Sequence, residues 1–199
     1  MLKDAQFAQL KTRRPALVVV DVQRDFAIPA VDAAVTRIAE LIDAARQRGV
    51  PVVWVVLGSD PARPWRASNW LRLGDYEAPM SEAEPCVIGS PGAGLFKVSH
   101  NGGEHLITKR GYSGFLGTDL NATLHELGAG WLTICGLTTE CCVQATATDA
   151  VQLDWPVLIP RDATAAHEPG LHEAALRQLA LNAGVVVDAA EVIDLWRAS

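Results

Sequence analysis

The chain has 199 residues, 49% of them hydrophobic and 20% charged, with a net charge of −6. That size supports one folded domain with a substantial core, and the acidic balance excludes the basic stripe that a nucleic-acid surface needs. No apolar run is long enough to span a bilayer, and Met1-Leu2-Lys3-Asp4 carries charge where a secretory signal needs an apolar core.

Residues 16–20, after Pro15, are a β-branched apolar run ending at Asp21, the pattern of a buried parallel strand with a carboxylate at its C-terminal end. Val31, Val35, Ile38, Leu41, Ile42 and Ala45 then recur at helical spacing, and Gly49 stops that helix. Residues 50–57 form a second apolar run halted by Gly58, so the chain opens as strand, helix, strand, the signature of a parallel crossover. The stretch 58–100 is punctuated by Gly, Pro, Asp and Ser and holds Trp65, Trp70 and Tyr76. So long an irregular segment is expected to act as a lid or contact surface; the alternative is a surface loop whose tryptophans seal the core.

A third strand is expected at 105–108, ending on Lys109. Thr118 is placed to cap a helix carrying Leu120, Leu124 and Leu127, closed by Gly128. A fourth apolar strand, 131–135, stops at Gly136, and from Thr139 small and apolar residues continue with helical spacing to about Leu153. A fifth strand at 156–159, a helix from Pro169 through Leu179, a sixth strand at 184–187 and a short helix at 192–196 complete the chain. This alternation predicts a single α/β domain over 1–199, a three-layer α/β/α arrangement around a six-stranded, mainly parallel, doubly wound sheet.

In such sheets ligands bind outside the carboxyl ends of the strands, where Asp21, Lys109 and the 136–142 turn all fall. A strand that breaks on glycine into a helix aims backbone N–H groups at one point, and a cysteine there sits in the partial positive charge that favours its thiolate. Asp21 can accept the thiol proton, and Lys109 can hold both charges in place. The residues leave other readings open: Asp21 as a helix cap, Lys109 as a surface lysine, Cys141 and Cys142 as packing residues or as a reversible thiol redox sensor. The four cysteines, Cys86, Cys135, Cys141 and Cys142, include an adjacent pair and do not resemble a disulfide framework, which points to a reducing, cytoplasmic setting.

Asp21-Val22-Gln23-Arg24-Asp25-Phe26, Lys109-Arg110-Gly111-Tyr112-Ser113-Gly114-Phe115 and Gly136-Leu137-Thr138-Thr139-Glu140-Cys141-Cys142-Val143 resemble, in order and spacing, the three signature segments of the isochorismatase-like cysteine hydrolases. Ala145-Thr146-Ala147-Thr148-Asp149-Ala150 and Arg161-Asp162-Ala163 continue the likeness, which covers nearly the whole chain and is weakest over 58–85. The resemblance implies an isochorismatase-like fold and a catalytic triad of Asp21, Lys109 and Cys142, with the second cysteine of the pair as nucleophile. It also implies a cis peptide between Leu137 and Thr138, and an oxyanion hole built from the backbone N–H groups of Thr138 and Cys142. The implied reaction is hydrolysis of a C–N bond in a small amide or a carbamoyl or ureido compound, through a thioester acyl-enzyme.

Departures from the family narrow the choice. The nicotinamidase branch adds a metal site of an Asp and histidines after the second strand. Here that region reads Gly58-Ser59-Asp60-Pro61-Ala62-Arg63-Pro64-Trp65, with no histidine before His100. Asp60 alone cannot hold a transition metal, so neither metal nor cofactor is expected. The branch that hydrolyses isochorismate generally lacks the nucleophilic cysteine, and Cys142 argues against that activity. Isochorismatase- and nicotinamidase-type hydrolysis stand as alternatives behind the metal-free amidases, which include ureidoacrylate and N-carbamoyl amidases. Motif neighbourhood nominates Gln23, Phe26, Trp70, Tyr112 and Phe115 as substrate-binding residues, with His167 as a further contact. The expected partners are a small-molecule amide or ureide and further copies of the chain in a dimer or tetramer, with no nucleic acid and no membrane.

Overall fold

The apolar runs form strands β1 (Pro15–Val20), β2 (Val52–Leu57), β3 (His105–Lys109), β4 (Trp131–Leu137), β5 (Val157–Pro160), β6 (Thr164–Ala165) and β7 (Val185–Val187) in a computed structural model that describes residues 2–197. Six of them lie side by side in the order β3-β2-β1-β4-β5-β7, and β6 pairs with β4 beyond the end of β5. Neighbouring strands of this sheet all pair in parallel. Among the described residues there are seven strands rather than the expected six: β6 has two residues, too few to carry an alternation that could be read. The fourth strand also runs through Gly136 to Leu137 instead of stopping at the glycine.

The helices are α1 (Leu2–Leu10), α2 (Asp32–Gln47), α3 (Arg66–Leu73), α4 (Leu120–Glu126), α5 (Gln144–Gln152), α6 (Pro169–Asn182) and α7 (Ala189–Arg197). The sheet is apolar on both faces because helices cover both. Alternate residues of β1 show this directly: Leu17 and Val19 pack with α2 and α7, whereas Ala16, Val18 and Val20 pack with α4, α5 and α6. Each such Val or Leu taken fully out of water contributes roughly 1.5–3 kcal/mol, so the central strands are the most strongly held part of the molecule. Among the described residues no helix is long and apolar enough to cross a membrane.

α3 belongs to neither layer. It sits in the 58–104 excursion between β2 and β3, buries only Ser68 and Asn69, and leaves Trp70, Leu71 and Leu73 exposed. The ends of the excursion are tied to the sheet by backbone contacts: Gly58 N–H donates to the Lys109 carbonyl, Arg24 N–H to Gly94, and Phe96 N–H to Val22.

The strand order reverses between β1 and β4. β1 goes on to β2 by the α2 crossover on one side, while β4 leads to β5 and β7 on the other. Gly136 makes that close approach possible. It pairs with Val20, has φ +127°, and a Cβ there would lie 2.0 Å from the Val20 carbonyl oxygen. No other residue fits this backbone. The chain leaving β1 at Asp21 and the chain leaving β4 at Leu137 thus emerge side by side, at the switch point where open α/β sheets bind ligands.

Candidate active site

Three strand ends supply the site. Asp21 follows β1, in the left-handed region at φ +49° that a short polar side chain tolerates. Its N–H donates to Val55 at 2.8 Å, which fixes it against the neighbouring strand. Lys109 is the last residue of β3, and its side chain reaches over the end of the intervening β2. Cys142 sits in a π-helical turn, Thr139–Val143, that leads straight into α5. The Leu137–Thr138 peptide is cis. The Thr138 carbonyl accepts the N–H groups of Cys141 and Val143, each at 3.2 Å, closing the turn around Cys142.

Lys109 Nζ lies 2.8 Å from Asp21 Oδ2, 2.8 Å from the Gly111 carbonyl and 3.3 Å from Cys142 Sγ. An ammonium has three donors; the Gly111 carbonyl and Cys142 Sγ accept from it, and Asp21 is its ion-pair partner. All three side chains are buried, Asp21 fully and Cys142 to 6% exposure. Burial pushes the Asp21 carboxyl up from the ordinary aspartate value, while Lys109, Cys142 and the Leu57 N–H pull it back. Burial works against the Lys109 charge, but Asp21 and Cys142 outweigh it and hold the ammonium charged above its usual range. The Cys141 sulfur, 3.9 Å away, then burial and the Asp21 charge push the Cys142 thiol up, against Lys109. The centre therefore holds one ammonium in contact with both a carboxylate and a thiol. That arrangement lets a single proton pass between Asp21 and Cys142 without changing the charge of the cluster.

The four cysteines separate cleanly. Burial pushes the Cys86 thiol up to about 12, helped by the charges of Asp21 and Asp25, and burial likewise raises Cys135. Cys141 is lowered, through its contact with the Cys142 sulfur, against burial. Acidity and position thus point to different sulfurs of the pair. Position decides, because Cys142 Sγ is the sulfur that touches the Lys109 ammonium.

The nominated wall residues are dispersed. Gln23 is fully buried, and its side-chain amide donates to the Leu57 and Ala93 carbonyls and accepts from the Leu57 N–H. Both its donors are spent on holding the excursion to β2, so it clamps the backbone instead of facing a substrate. Trp70 is 62% exposed on α3, and it is Trp65 that meets Tyr112 edge to face at 4.8 Å. Phe26 packs against the α2 and α7 layer and Phe115 against the α4 and α5 layer. His167 is exposed and lies 3.3 Å from the Phe26 carbonyl. Sequence reading passed over His172 on α6, whose Nδ1 is 2.8 Å from the hydroxyl of the buried Thr139. Thr139 stands beside the nucleophile turn, but nothing in the local pattern links it to a histidine 33 residues on.

The region after β2 does not fit a metal. The Asp60 carboxylate is taken by Arg63 Nε at 3.0 Å and the Ala62 N–H at 2.9 Å. Among the described residues no three His, Cys, Asp or Glu side chains are gathered as ligands. A groove of about 780 Å³ lies along β5 and β7 between α1 and α6, and none of Asp21, Lys109 or Cys142 lines it.

The sequence profile described as Isochorismatase domain matches residues 15–191. A protein named probable inactive nicotinamidase from Arabidopsis thaliana is 34% identical over 81% of this chain and 86% of its own length. The ureidoacrylate amidohydrolase RutB of Methylobacterium radiotolerans is 32% identical over 87% of this chain and 76% of its own. Among solved structures, the pyrazinamidase of Pyrococcus horikoshii in complex with zinc superposes with a TM-score of 0.75 at 30% identity, covering 88% of this chain and 99% of that one. With every strand and all three site segments inside the matched stretch, the chain belongs to the isochorismatase family.

Proposed function

We propose that this chain is a single-domain amidohydrolase that cleaves a C–N bond of a small amide or a carbamoyl or ureido compound, with Asp21, Lys109 and Cys142 as its catalytic triad. The observation that carries the reading is the buried Lys109 ammonium in contact with both Asp21 and Cys142. The names of the ureidoacrylate and maleamate amidohydrolases among its relatives support the substrate class.

In this mechanism Asp21 takes the proton from Cys142 Sγ, and the thiolate attacks the carbonyl carbon. The C=O electron pair moves onto oxygen, which sits between the backbone N–H groups of Thr138 and Cys142, where the start of α5 adds partial positive charge. The tetrahedral centre collapses, the C–N bond breaks, and Asp21 returns its proton to the leaving nitrogen. A thioester remains on Cys142. Water then gives a proton to Asp21 and its oxygen to the acyl carbon, and the acid departs as Sγ recovers the proton. Lys109 stays charged throughout and balances whichever of Asp21 and Cys142 is anionic.

Ammonia release from a panel of small amides and ureides, with Cys142→Ser and Cys142→Ala as controls, is the test. The expectation is turnover by the native protein and loss of at least a thousandfold in either variant, the range seen when a nucleophile is removed. Native turnover retained by Cys142→Ala, or carried instead by Cys141, would overturn the assignment. Labelling with iodoacetamide separates the second case, since the native protein should be alkylated at Cys142 and protected there by substrate.

A further inference from the structure

β7 is the last strand of the sheet, and the groove of about 780 Å³ runs along its open edge, with Leu2 and Leu10 of α1 on one wall and Leu176 and Leu181 of α6 on the other. Leu10 packs with the α2 and α7 layer and Leu176 with the α4 and α5 layer, so the groove is the rim of the sheet between its two helical coats. Leu2 and Leu181 are 75% and 82% exposed there. Register decides which backbone groups face the groove. Leu132 N–H donates to the Pro156 carbonyl at 2.9 Å, so residues 156 and 158 of β5 bond toward β4, and residues 157 and 159 bond toward β7. Pro160 has no N–H to add. Ile159 therefore takes up Val185 and Val187, on either side of its partner Val186, and Val186 turns its own N–H and carbonyl out to the groove. Among the described residues neither group has a hydrogen-bond partner. Edge strands are ordinarily shielded by a charge, a proline or a bulge. Val185-Val186-Val187 carries none of these, and its first two residues are partly exposed.

Charge on the rim selects the kind of chain that fits. Arg13, Arg161 and Arg177 stand on the groove wall against one acid, Glu173, among the described residues, on a molecule whose net charge is −6. Arg161 is paired with Asp188 at 3.2 Å, whereas among the described residues the side chains of Arg13 and Arg177 have no ion pair or hydrogen bond. A second copy docked edge to edge would bring the same arginines together across a two-fold axis; an acidic strand neutralises them. From the open edge and its charge we infer that the β5–β7 groove docks an extended acidic segment of another protein, which adds to β7 as a further strand. The backbone of that segment pairs with Val186, its apolar side chains alternate between the α1 and α6 walls, and its carboxylates meet Arg13 and Arg177. The groove runs beside residues 155–161, which at a rise of about 3.3 Å per residue gives room for about six residues. None of the triad lines it, so the surface stands apart from the hydrolase reading.

The probe is an acetylated, amidated hexapeptide of alternating valine and glutamate, titrated into the full chain by calorimetry. It should bind about tenfold tighter than its valine–lysine counterpart, by an amount that shrinks as salt is raised. N-methylation of its two central residues blocks both edges of the strand and should cost about tenfold in affinity, the worth of a hydrogen bond lost with its partner left unmade. Val186→Pro removes the outward N–H and no ladder bond, a place where an edge strand tolerates proline, and should weaken the native peptide by a similar factor. Arg177→Glu should narrow or reverse the preference for glutamate over lysine. Should Val186→Pro fail to fold, the N-methylated peptide reads the same bond on the native protein. A glutamate peptide that does not bind, binds no better than the lysine peptide, or binds equally well when N-methylated overturns the inference. So does a dimer in sedimentation that Val186→Pro dissociates, since the edge then belongs to a second copy.

Discussion

Buried charge is costly unless it is paired, and the candidate site buries an ammonium and a carboxylate together. The pairing has a consequence for pH. Asp21 must be ionised to accept the thiol proton, and burial raises its carboxyl above the ordinary 3.8. Acid therefore removes the base earlier than it would remove an exposed aspartate. The acid limb of kcat/KM should lie above 3.8 and move further up in Lys109→Gln, because the lost ammonium was pulling the carboxyl down; a limb that stays in place in that variant would refute the assignment. His172 acts one step further out. Its ring holds the Thr139 hydroxyl at 2.8 Å, next to the peptide whose N–H is assigned to the oxyanion. His172→Phe leaves that buried hydroxyl without a partner and loosens the turn. We expect kcat to fall about ten- to a hundredfold, the cost of misplacing reacting groups by about an ångström, with KM little changed and partial recovery in His172→Asn. An unchanged kcat would show that the bond is only structural.

At the scale of elements, the helices and strands with strong apolar periodicity were legible in the sequence, and those held by distant partners were not. α2 carries Val35, Ile38, Leu41, Ile42 and Ala45 inward at the expected spacing. α1 buries only Leu10, so it has no stripe to read and looks like a solvated tail. That Asp21, Lys109 and Cys142 come together was legible because each lies at a strand end or in the turn that follows one. The role of Gln23 was not, because its partners Leu57 and Ala93 are 34 and 70 residues away. Glu104 is a second such long-range tie. It accepts Arg46 Nε at 2.7 Å and Nη2 at 3.0 Å from α2, the Trp54 indole N–H at 2.7 Å from β2, and the Asn101 N–H at 2.9 Å. Burial pushes this carboxyl up, but those four donors outweigh it and leave it below the ordinary 4.5. With the folded value below the unfolded one, the tie stabilises fully above 4.5 and is lost as pH falls through the folded value. Glu104→Gln should cost about 1.5–3 kcal/mol in urea unfolding at neutral pH and much less at pH 3. An equal cost at both would mean that the charge is not what holds the joint.

Across the whole molecule, stability is unevenly distributed, and the unevenness falls where function is proposed. β1, β2 and β4 are bonded on both sides and buried on both faces, whereas the 58–104 excursion is clamped mainly at its ends by Gln23, Asp25 and the backbone bonds to Val22 and Lys109. Its middle buries little: Trp70, Leu71, Leu73 and Tyr76 are all more than half exposed. Segments with few buried contacts open at lower free energy than the core, so amides of residues 61–84 should exchange with solvent long before those of β1 and β4. Trp65, which meets Tyr112 beside the turn that follows Lys109, is carried on that loosely held stretch, while Lys109 and Cys142 stand at the ends of the rigid sheet. Binding a small amide or ureide to Cys142→Ser protein should therefore join the two parts and slow exchange selectively in 62–76. Exchange in β1, β2 and β4, already at the global limit, should not change apart from the uniform gain that any bound ligand brings. Protection spread evenly over the chain, or confined to the groove along β5 and β7, would place the amide elsewhere.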